Sequence, residues 1–247
     1  MEDVYIIKIG GSIATDKKGN RPILRERFIR EIARQIAKVR SEKQNIRLIL
    51  LYGGGSFGHP LAHRHKLADR SLRGSTFMGV GYTICAMRDL GTRLATIFLD
   101  AGIPVVPLQA SSCMRINRGR LQISGASIFE IILKNGGVPL IGGDVVFAEG
   151  KRSAIASADA IAVTLAKKHS GARLFFATDI DGVFKTFPPL AHEMPISTLD
   201  RKAAVALLGM RRIKQTSTDV TGAMAGKLRA LRGLRKTMAM IFNGTKP

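Results

Sequence analysis

The chain has 247 residues, 45% hydrophobic and 23% charged, with 11 Phe, 3 Tyr and no Trp, which excludes a disordered chain and demands a mainly aliphatic core. Its formal net charge of +21 admits anionic partners. Lys and Arg are nevertheless spread over both halves, and the densest basic stretch, 200–236, carries no aromatic platform, so nucleic-acid binding is not the expected role.

The start Met1-Glu2-Asp3 runs straight into Val4-Tyr5-Ile6-Ile7, without the basic start and long apolar stretch of a secretory signal. Val4–Ile9 reads as a strand, and Ile23–Glu42 as a helix with Phe28, Ile32, Ile36 and Val39 at three-to-four spacing. Ile46–Tyr52 is a second strand, which runs into a glycine-rich turn. It contains Arg47, and no apolar run approaches the ~20 residues that cross a bilayer. Thr76–Ala101 reads as a long helix closed by Gly102 and Pro104. Val105–Leu108 is a short strand and Arg115–Ile123 a hairpin turning at Asn117-Arg118-Gly119. Ile128–Lys134 is helical, Val138–Ile141 a strand, and Val145–Ala154 a hairpin around Glu149-Gly150. Helix Ala158–Lys168, strand Arg173–Thr178, helices near Leu199–Leu208 and Thr221–Lys236, and strand Met238–Phe242 complete the series.

This alternation predicts an α/β fold: an open, mainly parallel central sheet with helices on both faces, three layers in all. Ligands then belong beyond the carboxyl ends of the strands. Residues 1–247 are expected to form a single domain with two lobes, about 1–150 and about 151–247. Cys85 and Cys113 suggest neither a disulfide framework nor a zinc site, so a reducing cytoplasm is the expected compartment and no protein-held metal is expected.

Three turns after predicted strands carry the chemistry. Lys8-Ile9-Gly10-Gly11-Ser12 closes the first. Its glycines let backbone N–H groups approach an anion, and Lys8, leaving the strand end, can meet phosphate oxygens. Thr15-Asp16-Lys17-Lys18 offers a second cation. Gly-Gly-Ser alone is equally well explained by an ordinary turn. The second motif, Gly53-Gly54-Gly55-Ser56-Phe57-Gly58-His59, puts four glycines in six residues, which implies close approach of a ligand or of another backbone. His59, at or near a helix start, can hydrogen-bond a phosphate or simply face solvent beside Pro60. Thr178-Asp179-Ile180-Asp181-Gly182 suits a ribose- or metal-contacting loop, or an Asp turn capping its own backbone. Farther on, Thr218-Asp219-Val220-Thr221-Gly222 precedes a helix carrying Lys227, on the flank of an anion-binding helix start; a lone helical lysine is more often solvated. Neither a Walker A loop nor a Gly-x-Gly-x-x-Gly fingerprint is present. A kinase built on this chain has to assemble its phosphate cradle from separate strand ends.

In order, these segments resemble the amino acid kinase superfamily over nearly the whole chain. Lys8 to Lys17 and Gly53 to Pro60 resemble its isopentenyl phosphate kinases, for which the histidine after Ser-Phe-Gly is the specific mark. Gly142-Gly143-Asp144-Val145, Thr178 to Val183 and Asp219 to Gly222 match in type and order. The resemblance implies ATP-dependent phosphorylation of isopentenyl phosphate, an isoprenoid monophosphate, by direct in-line transfer. Mg²⁺ would travel with ATP, the first lobe would bind the acceptor and the second ATP. It assigns catalysis to Lys8, Lys17 and His59. The acceptor falls to His59, Gly54, Gly143 and Asp144. The nucleotide falls to Lys8, Gly10, Gly11, Gly55, Asp179, Gly222 and Lys227. Apart from the resemblance, helix 76–101 offers Phe77, Met78, Val80, Ile84 and Met87 near the glycine loop in sequence, and of these Ile84 and Met87 are expected to limit tail length. A homodimer is a family expectation.

Two departures stand out. Tyr52 replaces a histidine that these kinases often have before the triple glycine, and the chain stops at Pro247, where such kinases commonly continue to a last strand. Fosfomycin-kinase-like enzymes share the fold and the Gly-His motif; Pro107 to Cys113 and Thr221 to Met224 lean towards them, whereas Thr15-Asp16-Lys17 leans towards the isoprenoid enzymes. A reading of another class is a catalytically silent nucleic-acid-binding or regulatory protein on the same fold. The presence of Lys8, Lys17, His59 and Lys227 speaks against silence.

Overall fold

Successive residues of the central strands point to opposite faces, and both faces are apolar, as a sheet covered on two sides requires. The computed structural model describes residues 3–16, 22–43, 46–67, 70–71, 75–150, 152–186, 189–209, 223–234 and 237–246. Lys17 and Gly222, both implied as site residues, lie outside the described residues.

The chain opens with β1 (Val4–Ile9), α1 (Gly11–Ala14), β2 (Thr15–Asp16), β3 (Ile23–Leu24), α2 (Glu26–Glu42) and β4 (Arg47–Tyr52). Next come α3 (Gly55–Arg64), β5 (Arg70–Ser71), α4 (Ser75–Asp100), β6 (Val105–Leu108), α5 (Ala110–Cys113), β7 (Met114–Asn117) and β8 (Arg120–Ile123). Then follow α6 (Ala126–Lys134), β9 (Val138–Gly142), β10 (Asp144–Ala148), β11 (Arg152–Ala156) and α7 (Ala158–Ala166). Last are β12 (Arg173–Thr178), α8 (Arg201–Gly209), α9 (Ala223–Leu231) and β13 (Ala239–Asn243).

Six strands form the central sheet in the order β13-β12-β1-β4-β9-β6, every neighbouring pair parallel. A second sheet, β5-β11-β10-β7-β8, is antiparallel except where β7 meets β10. On one face of the central sheet, Ile9, Leu48, Leu50 and Leu140 pack with Ile29 and Ala33 of α2 and with Leu90, Leu94 and Phe98 of α4. The α4 residues recur at four-residue steps, one apolar stripe of a helix. On the other face, Val4, Ile6, Ile49, Leu51 and Phe176 pack with Phe129 of α6 and Ile161 and Leu165 of α7.

Three local expectations need correction. Ile23–Leu24 is not the start of the first long helix but a short strand paired with Thr15–Asp16, and α2 begins at Glu26. The core face of α2 is Ile29 and Ala33. Phe28 and Val39 of the expected stripe are 39% and 46% exposed, and with Ile32 and Ile36 they line a cavity of about 670 Å³ that also touches Tyr5 and Phe242. The glycine-rich segment after β4 is a turn only as far as Gly54; from Gly55 it is helix α3, so His59 is its fifth residue.

Tyr52, the last residue of β4, is buried against that helix layer. Its hydroxyl donates to Met87 O at 3.3 Å, and burial, then the nearby Asp144, raise its pKa far above that of a free phenol. Two glycines make room for the ring. A Cβ on Gly142 would stand 2.4 Å from Tyr52 Cε2, and one on Gly91 only 2.2 Å from the hydroxyl oxygen. Gly142→Ala and Gly91→Ala are each expected to cost about 2–3 kcal/mol in urea unfolding. Tyr52→Phe removes only the oxygen, so it should recover much of the Gly91→Ala loss and none of the Gly142→Ala loss. Equal recovery at both positions would refute this packing.

Candidate active site

The glycine-rich and acidic turns end four adjacent strands. Because β12, β1, β4 and β9 lie side by side, Asp179, Gly10-Gly11, Gly53-Gly54-Gly55 and Gly143-Asp144 form one row beyond the carboxyl edge of the sheet, where open parallel sheets bind ligands. Backbone hydrogen bonds continue across the row. Gly10 N–H donates to Ala177 O at 2.9 Å, Gly53 N–H to Ile9 O at 3.0 Å, and Gly143 N–H to Tyr52 O at 3.1 Å.

The two central loops touch backbone to backbone. A Cβ on Gly11 would lie 2.5 Å from Gly55 N, and one on Gly53 would lie 2.8 Å from Gly11 N. Gly55 has φ +47, a left-handed conformation that costs glycine nothing and strains other residues. Helix α3 starts there, and the first turn of a helix favours an anion through its N–H groups and dipole. Half-buried His59 leans over Gly54, whose Cβ would come 3.4 Å from the imidazole Cδ2. Met87 of α4 fills the same corner, its Sδ 3.3 Å from that Cβ position and 2.6 Å from the corresponding position on Gly58. Ile84, one turn before Met87, packs in a small cluster with Leu67, Val80, Val145 and Ile155. The fold thus brings Gly54, His59 and Met87 together, with Ile84 beside the strand that starts at Asp144.

Strand alternation puts Lys8 on the face of Val4 and Ile6, towards α7. Contrary to expectation, its side chain does not simply leave the strand end: Nζ lies 3.0 Å from Asp159 Oδ1. Lys227 Nζ lies 3.6 Å from Asp159 Oδ2. Lys8, Asp159 and Lys227 are only 6%, 7% and 6% exposed. Protonated, the two lysines and one carboxylate sum to +1 in a buried place. Burial pushes the Asp159 carboxyl up, but Lys8 and Lys227 outweigh it and hold the group below its ordinary value. Burial and the Lys8 charge bring Lys227 down to about 8, against the pull of Asp159.

Asp159 is the residue that sequence reasoning missed. It sits in the first turn of α7, whose cap is the Ser157 hydroxyl accepting from Ala160 N–H at 3.1 Å. An acid there reads as ordinary helix-dipole compensation. The available signal was indirect: two lysines assigned to one site and buried need a shared counter-charge. Asp179, by contrast, is exposed and accepts from the Thr178 hydroxyl at 3.2 Å.

Asp144 is buried, and desolvation raises its pKa to about 6, even though Val145 N–H donates to Oδ1 at 2.8 Å and Ser111 and Arg88 favour the anion. Its folded value lies above the ordinary 3.8, so its contribution to stability is complete below about pH 4 and is lost as pH rises through 6. Asp144→Asn should therefore raise the unfolding free energy near pH 7.5, by on the order of 2–3 kcal/mol, and leave it nearly unchanged near pH 4. A gain independent of pH would contradict this assignment.

The amino acid kinase family matches residues 3–237. Isopentenyl phosphate kinase of Methanocaldococcus jannaschii is 31% identical over 98% of this chain and 91% of its own. That of Methanothermobacter thermautotrophicus is 30% identical over 92% and 85%. Among solved structures, an isopentenyl phosphate kinase superposes with a TM-score of 0.82 at 23% identity, covering 99% of this chain and 93% of the other, a likeness of fold. The chain belongs to the amino acid kinase family and, within it, to the isopentenyl phosphate kinases.

Proposed function

We propose that the chain phosphorylates isopentenyl phosphate, moving the γ-phosphoryl group of ATP in line onto an oxygen of the acceptor phosphate. The observation that carries this reading is the buried surplus of positive charge. Lys8 and Lys227 share the single carboxylate of Asp159, beside a row of glycine loops. The acceptor oxygen is already ionised, so the chemistry needs no strong general base. Its obstacle is repulsion between two anions, and the transition state spreads charge over the equatorial oxygens of the transferring group. Fixed cations and aligned amides lower that barrier most.

In this reading Lys227 holds the ATP phosphates, and Lys8, with Lys17, neutralises the transferring group. Gly10, Gly11 and Gly55 supply backbone donors, and Asp179 and Gly222 line the nucleotide site. The acceptor phosphate rests against His59, Gly54 and the Gly143-Asp144 loop, with its tail towards Ile84 and Met87. Residues of about 1–150 then serve the acceptor and about 151–247 the nucleotide. Strand order supports the assignment, because Asp179 after β12 and Gly143-Asp144 after β9 stand at opposite ends of the row with Lys8 between. Among the described residues no three His, Cys, Asp or Glu side chains gather to hold a metal, and both Asp159 oxygens face ammonium groups. Mg²⁺ would arrive with ATP and would neutralise phosphate charge, while Lys8 and Lys227 would hold the phosphates. Among the described residues no helix is long and apolar enough to cross a membrane.

Two measurements test the reading. With Mg-ATP, ADP release is expected to be strong with isopentenyl phosphate and dimethylallyl phosphate and weaker with geranyl phosphate. Turnover of fosfomycin alone would assign a phosphonate acceptor, and turnover of none would refute the kinase reading. The second test uses Lys227, whose folded value of about 8 lies below the 10.5 of an ordinary lysine. In the free protein its contribution to stability therefore rises with pH from about 8 to 10.5. A bound polyphosphate restores the charge, so ATP binding at pH 8 should take up a fraction of a proton. Titration calorimetry in two buffers of different ionisation heat should detect that uptake, and Lys227→Met should abolish it; heats that do not depend on the buffer would count against the assignment.

A further inference from the structure

Thr15 is 1% exposed and stands where the two glycine loops meet. Its hydroxyl donates to Gly11 O at 2.7 Å and accepts from Ser56 N–H at 2.9 Å. One side-chain oxygen thus joins the loop after β1 to the first turn of α3 after β4. The fit is close. A Cβ on Gly55 would fall 2.0 Å from the Thr15 oxygen, so the left-handed glycine and the threonine occupy one niche. The clamp holds the backbone of Ser56, whose Oγ is buried and has no hydrogen-bond partner among the described residues.

A hydroxyl that donates once and accepts once can be replaced by serine but not by valine, which has the shape of threonine and neither function. Removing it leaves the Ser56 N–H short of a partner, which costs its desolvation unless the loops separate to admit water, while the Gly11 carbonyl keeps only the Thr15 backbone N–H. The loops come from different strands, and the Gly11–Gly55 backbone contact has no side chains to hold it.

We propose that Thr15 is a positioning residue for phosphoryl transfer. It fixes the gap between the loop that holds the transferring group and the loop that holds the acceptor phosphate. This rests on the kinase reading above. Thr15 acts through Gly11 and Ser56, so its loss falls on the alignment of two bound substrates more than on the binding of either.

Thr15→Val is expected to lower kcat by ~30–100-fold, the scale of an ångström of misplacement. The KM values for ATP and for isopentenyl phosphate should each stay within ~3-fold, and Thr15→Ser should keep kcat within ~3-fold. Amide hydrogen exchange of the substrate-free protein reads the clamp without activity: the Ser56 amide should exchange at least ~10-fold faster in Thr15→Val and remain protected in Thr15→Ser. Unchanged exchange at Ser56 in the valine variant overturns the clamp. Faster exchange with undiminished kcat overturns its role in positioning, and equal losses in both variants overturn it in favour of methyl packing. A parent protein that phosphorylates no acceptor would sink the functional reading, while the exchange comparison would still decide the clamp.

Discussion

Two ammonium groups and one carboxylate lie buried together at the carboxyl edge of the central sheet, and much of the surrounding structure exists to hold them there. Lys8 comes from the central strand β1, Asp159 from the first turn of α7 and Lys227 from the middle of α9. Burying ions is costly unless they are paired, and this set is one negative charge short. The imbalance is visible in Lys227, brought down to about 8. A site of this kind gains most from an anion that arrives later, and so part of the folding stability is held back for binding. The apolar frame bears that cost. Met224 and Leu228 of α9 pack with Leu207 and Val183, while Ile161 and Leu165 of α7 pack on the sheet, so neither helix can drift to relieve the excess charge.

The backbone complements the lysines. Gly11, Gly53 and Gly55 allow two loops to approach more closely than any residue with a Cβ permits, and the Thr15 hydroxyl bridges them. Cations alone would attract phosphates without aligning them. Loops alone would align weakly, because amide dipoles are partial charges. Catalysis by preorganised electrostatics needs both, set before substrate arrives so that nothing has to reorganise during the transfer. Under the proposed function the division is spatial as well: the charged set lies on the α7 face of the sheet, whereas His59, Met87 and Tyr52 belong to the side of α3 and α4.

The strands and most helices were legible because their signals are local. Val4–Ile9, Val105–Leu108 and Arg173–Thr178 read as strands from short apolar runs, and those bounds are the observed ones. What escaped was set by partners distant in sequence. Ile23–Leu24 is a strand only because Thr15–Asp16 lies beside it. The helical period of α2 admits the face of Phe28 as readily as that of Ile29, and only the sheet beneath decides between them. Gly53 to Gly58 read as a turn, yet helix α3 starts at Gly55 although each glycine costs about 1 kcal/mol in a helix; Met87 packs against Gly54 and Gly58, and Gly55 meets Gly11, where no larger residue fits. Lys8, His59 and Lys227 were singled out through their motifs. Asp159 and Thr15 were not, because an acid in the first turn of a helix and a threonine after a loop are ordinary locally and become specific only through Lys8, Lys227, Gly11 and Ser56.

Tyr52 lies on the α4 face of the sheet, apart from the charged set. It stands on β4 next to Gly53, yet it makes no ion pair among the described interactions and instead fills space between Gly142 and Gly91 and ties its hydroxyl to the α4 backbone at Met87. A larger or smaller residue there would shift α4, and with it the Met87 side chain that presses on Gly54 and Gly58, without moving Lys8 or Asp159 on the opposite face. Changes on the α4 side therefore alter the shape of the corner around His59, while changes in β1, α7 or α9 alter the buried charge. Under the proposed function the acceptor's tail would meet a few apolar contacts around α4, each worth little more than a methylene group's burial.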